Sequence, residues 1–282
     1  MNGVEDCTAH GGVMIGRHID LDGQSNFRDL GGYETTDGHR IRSGEIYRSG
    51  RLTKLSDADV DRLAGLGIRT VVNLLTEDDV EFYGKDRLPE GATSVSLPID
   101  SDTATRLAND ANHALKSGDF AALPPEMNSD IHRLLVRDGL DRYRELLELV
   151  ADPARRPLVF HCSHGIHRTG TGAAILLSLL GVPWDTVRED YLLSNTFRDD
   201  EVGARLAQLR TIAARARGVD ESEVDMTNAE AFMVQQPSYI DASLDEIENR
   251  FGSMEQWATA AGVSPDTLSQ LRAELLAHET VS

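Results

Sequence analysis

The chain has 282 residues, with 28 Lys or Arg against 47 Asp or Glu, which gives a formal net charge of −19 at pH 7. This acidic balance argues against a general nucleic-acid-binding protein, which needs a basic surface to displace the counterions of phosphates. Hydrophobic residues make up 40% of the sequence. No apolar run reaches the roughly 18 residues of a membrane span, so the composition predicts a globular protein without such a span.

The cysteines and the N-terminal segment bear on location and domain organisation. Cys7 and Cys162 lie far apart in dissimilar surroundings, which predicts no disulfide and fits a reducing compartment. The segment before Gly23 has no basic start followed by an apolar run, so we expect no signal peptide and a cytoplasmic location, with leaderless secretion left open. It is also polar and lacks periodicity, which predicts a flexible tail over residues 1–22 and a single domain over residues 23–282.

The first half of the domain alternates between strand and helix patterns. A turn-rich stretch begins at Asn26, and Ser56 and Thr76 have the character of helix caps. Apolar and β-branched runs predict short strands at 41–47, 68–75 and 93–99. Residues 102–138 are polar, weakly helical and interrupted by Gly and Pro, which predicts an inserted helical lid.

The second half is mainly helical around one further strand. Helical periodicity is found at 140–150, 169–180, 201–217, 239–251, 254–261 and 265–278. The strand at 157–161 runs into a short loop and then a helix, and open α/β sheets bind ligands at such a junction. The pattern predicts an α/β fold with a central, mostly parallel sheet flanked by helices, a helical lid insertion and C-terminal helices.

The loop between that strand and helix carries the candidate chemistry. Backbone amides that converge at a helix N-terminus form a site for an anion, and the guanidinium of Arg168 can add a bidentate clamp on phosphate oxygens. The same positive potential would lower the pKa of the Cys162 thiol, making it a nucleophile at neutral pH. The expected phosphate-binding residues are Ser163, His164, Gly165, Ile166, His167, Arg168 and Thr169.

These residues suggest phosphomonoester hydrolysis through a cysteinyl-phosphate intermediate. Cys162 would attack phosphorus, and Arg168 with the loop amides would stabilise the charge on the equatorial oxygens. A hydroxyl of Thr169 or Ser163 would donate to the sulfur and help it leave in the second step. This chemistry requires no metal and no other cofactor.

The residues from His161 to Gly170 resemble the signature loop of the cysteine-based protein tyrosine phosphatases: histidine, cysteine, five residues, arginine, threonine and glycine. The stretch 26–32, Arg48 with Ser49, and the segment 239–272 resemble the bacterial tyrosine/serine phosphatase family, which includes secreted mycobacterial and listerial members. The likeness covers roughly 24–276. It implies a phosphatase-like fold and a phosphotyrosine protein or a small phosphorylated metabolite as substrate.

The chain departs from that family's pattern in two places. Ile166 and His167 stand where the family usually has lysine and aspartate, and the lysine is associated with phosphoinositide as well as phosphoprotein activity, so its absence argues against lipid phosphates. Asn73 stands where the family has an aspartate sometimes credited as general acid, and an amide cannot serve as that acid.

A different group must therefore protonate the leaving oxygen. Asp100 is our first candidate, because it follows a strand exit that resembles the tryptophan-proline-aspartate turn of the classical family. Asp102 is the second and His167 the third. We expect His161 to orient the loop through hydrogen bonds to its backbone, and Arg28 to pair with Asp29 beneath the loop or to point at the substrate.

Three other functions of this loop are considered as alternatives. Four ligand-type side chains at 161, 162, 164 and 167 could suggest zinc, but a bound cation would leave the anion nest unformed and would lie against Arg168. A phosphate-binding pseudophosphatase would bind without turnover. Sulfur transfer also uses a cysteine at the head of such a loop, but the arginine followed by Thr-Gly argues against it. The expected partner is a phosphorylated substrate, and the oligomeric state stays open.

Overall fold

A computed structural model describes residues 15–124 and 126–277. The strands are β1 (Arg28–Asp29), β2 (Arg40–Ile41), β3 (Ile46–Ser49), β4 (Thr70–Asn73), β5 (Thr93–Ser96), β6 (Leu158–His161) and β7 (Leu276–Ala277). Five of them form one sheet in the order β1-β3-β6-β4-β5, and β2 pairs with β7 separately. Strands β3, β6, β4 and β5 are parallel, and only β1 joins antiparallel, which confirms the predicted mostly parallel sheet.

The sheet is covered on both faces. Successive side chains of a strand point to opposite faces, and in β6 Leu158 and Phe160 pack into the larger apolar cluster while Val159 packs into a smaller one. In β4, Val72 joins the larger cluster and Val71 the smaller. Burial on both faces explains why these strands appear in the sequence as continuous apolar runs rather than alternating patterns.

Each predicted helical segment contains a helix, but the last helix ends at Leu275, and the helices Trp184–Phe197 and Thr227–Met233 have no counterpart among the predicted segments. They are α1 (Asp57–Gly65), α2 (Glu77–Tyr83), α3 (Asp102–Ser117), α4 (Met127–Asp138), α5 (Leu140–Ala151), α6 (His167–Leu179), α7 (Trp184–Phe197), α8 (Asp199–Arg217), α9 (Thr227–Met233), α10 (Pro237–Phe251), α11 (Met254–Ala260) and α12 (Pro265–Leu275). Ser56 and Thr76 each form a capping box at a helix start. None of the helices within the described ranges is long and apolar enough to cross a bilayer.

The predicted tail extends too far into the chain. Residues 1–14 lie outside the described residues, but the chain from Arg17 onward is packed against the domain. Arg17 is buried, with its guanidinium carbon 3.4 Å from the ring centroid of Tyr33, and Leu21 is buried in the smaller apolar cluster. The amide of Asp22 donates to Asp59 (2.9 Å). Residues 17–22 therefore belong to the domain.

The segment 102–138, predicted as a lid, divides into two different parts. Helix α3 contributes side chains to the wall of a cavity described below. Helix α4 is a core helix, in which Ile131, Leu135 and Val136 are buried in the larger cluster. Its polar residues are buried too: His132 contacts the Thr171 hydroxyl through Nδ1 (2.9 Å) and Tyr191 through Nε2 (3.1 Å). Only α3 has the position of a covering helix.

Candidate active site

The predicted loop follows β6, the central strand of the sheet, and leads into α6. Gly165 makes its tight curve possible. Its φ is +71°, a backbone conformation that L side chains rarely adopt, and a Cβ there would lie 2.7 Å from the Ser49 carbonyl oxygen. Only glycine satisfies both conditions.

The loop carbonyls are held away from its centre. The carbonyls of Cys162, Ser163, His164 and Gly165 each accept a hydrogen bond. Their donors are, in that order, His161 Nδ1 (3.3 Å), the Arg51 amide (3.1 Å), Asn26 Nδ2 (2.9 Å) and Arg48 Nη2 (2.8 Å). In contrast, within the described residues no amide of 163–168 donates to a protein oxygen. Carbonyls that are held outward, together with amides that bind no protein oxygen, are the arrangement of an anion nest.

Cys162 lies at the head of this loop and is 3% exposed. Burial by itself raises the pKa of its thiol, but the positive charge of Arg168 and hydrogen bonds from the Thr169 hydroxyl, the Thr169 amide and the Gly165 amide lower it, and the lowering effects win. The Thr169 hydroxyl is buried with no other partner in the described part of the chain. The Ser163 hydroxyl instead contacts the His164 ring (3.1 Å). The site therefore favours a thiolate.

Arg168 is held by groups that are distant from it in the sequence. Its Nη1 donates to Asp79 in the first turn of α2 (2.7 Å) and to the Leu74 carbonyl (3.2 Å), and its own carbonyl accepts from Tyr143 (3.0 Å). Its Nε and Nη2 have no hydrogen-bond partner in the ranges that the structure describes. The side of the guanidinium that is left over can bind two oxygens of a phosphate.

His161 belongs to a buried polar chain that reaches across the sheet. Its Nε2 contacts Asp86 (2.9 Å), whose carboxylate also accepts from Asn73 Nδ2 (2.8 Å) and from the Leu52 amide (3.2 Å). Burial raises the pKa of Asp86, but its bonds with His161 and its other donors hold it below the usual value. Asn73 stands where the resembling family has an aspartate, and its amide group positions Asp86.

The sequence suggested an ion pair between Arg28 and Asp29, but the two side chains have different partners in the structure. Arg28 is fully buried, and its Nε donates to Asp190 on α7 (3.0 Å). Arg48, which holds the Gly165 carbonyl, pairs with the other oxygen of Asp190. Asp29 instead accepts from the amide of Gly31 (2.7 Å), two residues on, and from the amide of Gly44 (2.6 Å), just before β3. The short reach of Asp29 suits the turn, while the long Arg28 side chain crosses to α7.

The two remaining loop histidines occupy different positions. His164 is exposed, whereas His167 is half-buried and its Nε2 lies 3.0 Å from Asn128 Oδ1. Because the Asn128 amide nitrogen donates to the Ala231 and Phe232 carbonyls, its oxygen must accept from His167. Burial and the charge of Arg168 lower the pKa of His167 to about 4. His167 is thus neutral at pH 7, with its proton engaged, which argues against a role as general acid.

The loop opens into a cavity of about 280 Å³. Its wall includes Cys162, Arg168, Asp79, Asp100 and Tyr83, with residues of α3 on one side. Asp100 is exposed and accepts a hydrogen bond from Thr105. The side chain of Asp102, our second candidate acid, lies outside the described residues, while its backbone begins α3.

No group of three or more His, Cys, Asp or Glu side chains that could hold a metal ion occurs within 15–124 and 126–277. The histidines at 161, 164 and 167 are directed to different partners: Asp86, Ser163 and Asn128. They therefore do not form the zinc site that their spacing raised as an alternative.

The protein has a mostly parallel sheet with an anion nest after its central strand. A cysteine lies at the head of this nest and an arginine at its end, and this combination defines a cysteine-based phosphatase. The chain belongs to the tyrosine phosphatase family, whose family model matches residues 19–277. It is thus an enzyme of phosphate ester hydrolysis.

Individual relatives agree with this assignment. The chain is 32% identical over 271 residues to a Cupriavidus necator protein named for tyrosine-protein phosphatase activity, covering 93% of this chain and 90% of the relative. It is 28% identical over 282 residues to the triple specificity protein phosphatase PtpB of Mycobacterium tuberculosis, covering 91% of this chain and 98% of the relative. The crystal structure of TpbA from P. aeruginosa matches at 23% identity over 68% of this chain and 90% of that one, with a TM-score of 0.32.

Proposed function

We propose that this enzyme hydrolyses phosphomonoesters through a phosphate bound covalently to Cys162. The observation that carries the proposal is the loop itself, because its carbonyls are held by donors around it, its amides bind no protein oxygen within the described residues, and the amides of Gly165 and Thr169 donate to a thiol of lowered pKa. A phosphate in this loop would receive the amides and the unpartnered edge of Arg168 together. Such preorganised donors stabilise the charge that develops on the equatorial oxygens.

The first step exchanges one bond to phosphorus for another. The Cys162 thiolate forms the S–P bond while the ester P–O bond breaks, and the leaving oxygen takes a proton from Asp100. Asp100 is our choice because it lies in the wall of the same cavity as Cys162 and has access to solvent. In the second step the Asp100 carboxylate accepts a proton from water, which attacks phosphorus and releases the thiolate. The Thr169 hydroxyl stabilises the departing sulfur.

This sequence of steps uses only side chains and water, so we propose that the reaction needs no metal. We also propose that the enzyme works in the cytoplasm, where Cys162 stays reduced. The substrate is a phosphotyrosine protein or a small phosphorylated metabolite.

The test compares release of p-nitrophenol from p-nitrophenyl phosphate by the wild type and by Cys162→Ser, with Cys7→Ser as the matched change at the only other cysteine. Cys162→Ser should be inactive, Cys7→Ser should be active, and a chelator should change neither result. Acid quench of the wild type during turnover should leave phosphate on Cys162, detected by mass spectrometry. Turnover by Cys162→Ser, or phosphate bound covalently elsewhere, would refute the proposal.

A further inference from the structure

A second cavity adjoins the active site. It has a volume of about 260 Å³ and shares Ser163, His164 and Arg198 with the wall of the first cavity. It also includes Arg51 and Lys54, so three cationic side chains surround it in a protein whose overall charge is −19. Two carboxylates, those of Asp22 and Glu201, also line this cavity, so its cations exceed its anions by one next to the catalytic loop, against the sign of the whole molecule.

The carboxylates of this cavity are already engaged. Glu201 accepts from Arg198 Nε (3.3 Å) and from the Ser25 hydroxyl (3.2 Å), and Asp22 accepts from the Ser56 hydroxyl (3.3 Å). The two terminal nitrogens of Arg198, a side chain that is 5% exposed, have no hydrogen-bond partner in the described part of the chain, and neither has the Lys54 ammonium. The donors that remain are therefore cationic and face a cavity.

Arg198 lies between the two cavities. Arg51 approaches from the other side, with its Nη1 on the Ser163 carbonyl (3.3 Å) and its guanidinium carbon 4.8 Å from the ring centroid of Tyr83. The positive field thus extends from the catalytic loop into the second cavity.

We propose that the second cavity binds a further phosphate group of the substrate, so that the preferred substrate is a small bisphosphorylated molecule. The two cavities share Ser163, His164 and Arg198 in their walls, so one small molecule with two phosphate groups can occupy both. A soluble molecule is favoured over a lipid head group, because a protein of charge −19 is repelled by an anionic membrane surface. This inference rests on the proposed function, since the first phosphate occupies the catalytic loop.

The test uses Cys162→Ser as a non-hydrolysing background and measures binding by calorimetry. Fructose 1,6-bisphosphate and fructose 6-phosphate differ by one phosphate group. We expect the bisphosphate to bind at least about tenfold more tightly, as hydrogen bonds between charged groups provide. Lys54→Gln and Arg198→Gln should each reduce that preference, and Lys85→Gln, the same change at an exposed lysine outside both cavities, should not.

Equal affinity for the two sugars, or a preference that survives Lys54→Gln, would overturn the inference. Tighter binding to vesicles that contain a phosphoinositide than to the soluble bisphosphate would also overturn the choice of a soluble substrate. Because binding is measured without turnover, its outcome is separate from that of the p-nitrophenyl phosphate assay: an inactive wild type would refute the proposed function and leave the binding preference as its own result.

Discussion

Asp190→Asn should destabilise the enzyme severely, because one buried carboxylate neutralises two buried guanidiniums. Arg28, Arg48 and Asp190 are each at most 1% exposed. Burial and the charge of Arg28 lower the pKa of Arg48 only to about 10, so Arg48 remains a cation at pH 7. The contact of 3.0 Å between Arg28 and Asp190 corresponds to an attraction of about 5 kcal/mol at an effective dielectric constant of 20. Desolvation offsets part of this, and removing one partner of a buried pair costs about 3–5 kcal/mol.

The assay is equilibrium unfolding by urea, with Asp185→Asn as control. Asp185 lies on the same helix, α7, but is 86% exposed in its pair with Arg188, so its loss should cost less than about 1 kcal/mol. The pKa of Asp190 is held below its ordinary value by Arg28 and Arg48 despite burial, which raises it. Its stabilisation is therefore complete above the unfolded pKa of about 3.9 and is lost only as pH falls below it. The effect of Asp190→Asn should accordingly be the same at pH 6 and pH 8, and a loss no larger than that of Asp185→Asn would refute this reasoning.

Three further outcomes are expected. Alkylation of Cys162 by iodoacetamide should reach its half-maximal rate below pH of about 8.5, and Arg168→Met should move that midpoint upward because the charge that favours the thiolate is gone; an unmoved midpoint would contradict this. Asp100→Asn should slow alkyl phosphates far more than aryl phosphates with good leaving groups, up to about 10²–10⁴-fold, and equal slowing would assign the acid to another residue. Asp86→Asn should lower the free energy of unfolding by about 1–3 kcal/mol, since it weakens a buried charged partner of His161; coincident urea curves would count against that role.

The sequence alone was sufficient to predict features that depend on residues close together in the chain. The run at 157–161 is apolar and short, and it lies directly before the loop, so the strand, the turn and the helix that follow could be predicted together. The structure has β6 at Leu158–His161 and α6 at His167–Leu179. The capping boxes at Ser56 and Thr76 are likewise formed with partners three residues away, Asp59 and Asp79.

The contacts that hold the loop could not be predicted in this way. Asp190 is 162 residues from Arg28 and 142 from Arg48, and Asp86 is 75 from His161. No periodicity relates such partners, because only the packing of α7 and of the segment after α2 against the sheet brings them together.

The sequence predicts helix α4 as part of a lid because the partners of its polar residues are also distant in the chain. Its buried face includes Asn128, Ser129 and His132, which weaken the apolar stripe by which a core helix is recognised. These polar groups are buried because they have partners: Asn128 bonds to His167, and His132 bonds to the Thr171 hydroxyl. A polar residue in a sequence pattern predicts exposure only when no such partner exists elsewhere in the fold.

The ion pair between Arg168 and Asp79 shows how an acidic protein can hold a dianionic substrate. Asp79 occupies Nη1 of Arg168 together with the Leu74 carbonyl, and its own position is fixed because it also accepts from the Thr76 amide in the capping box of α2 (3.3 Å). The carboxylate reduces the net charge of the site, but it removes the rotational freedom of the guanidinium. The edge that remains, Nε with Nη2, is the fork that matches two phosphate oxygens. Orientation of Arg168 therefore takes the place of a larger positive charge, which is consistent with a catalytic loop that contains arginine and no lysine.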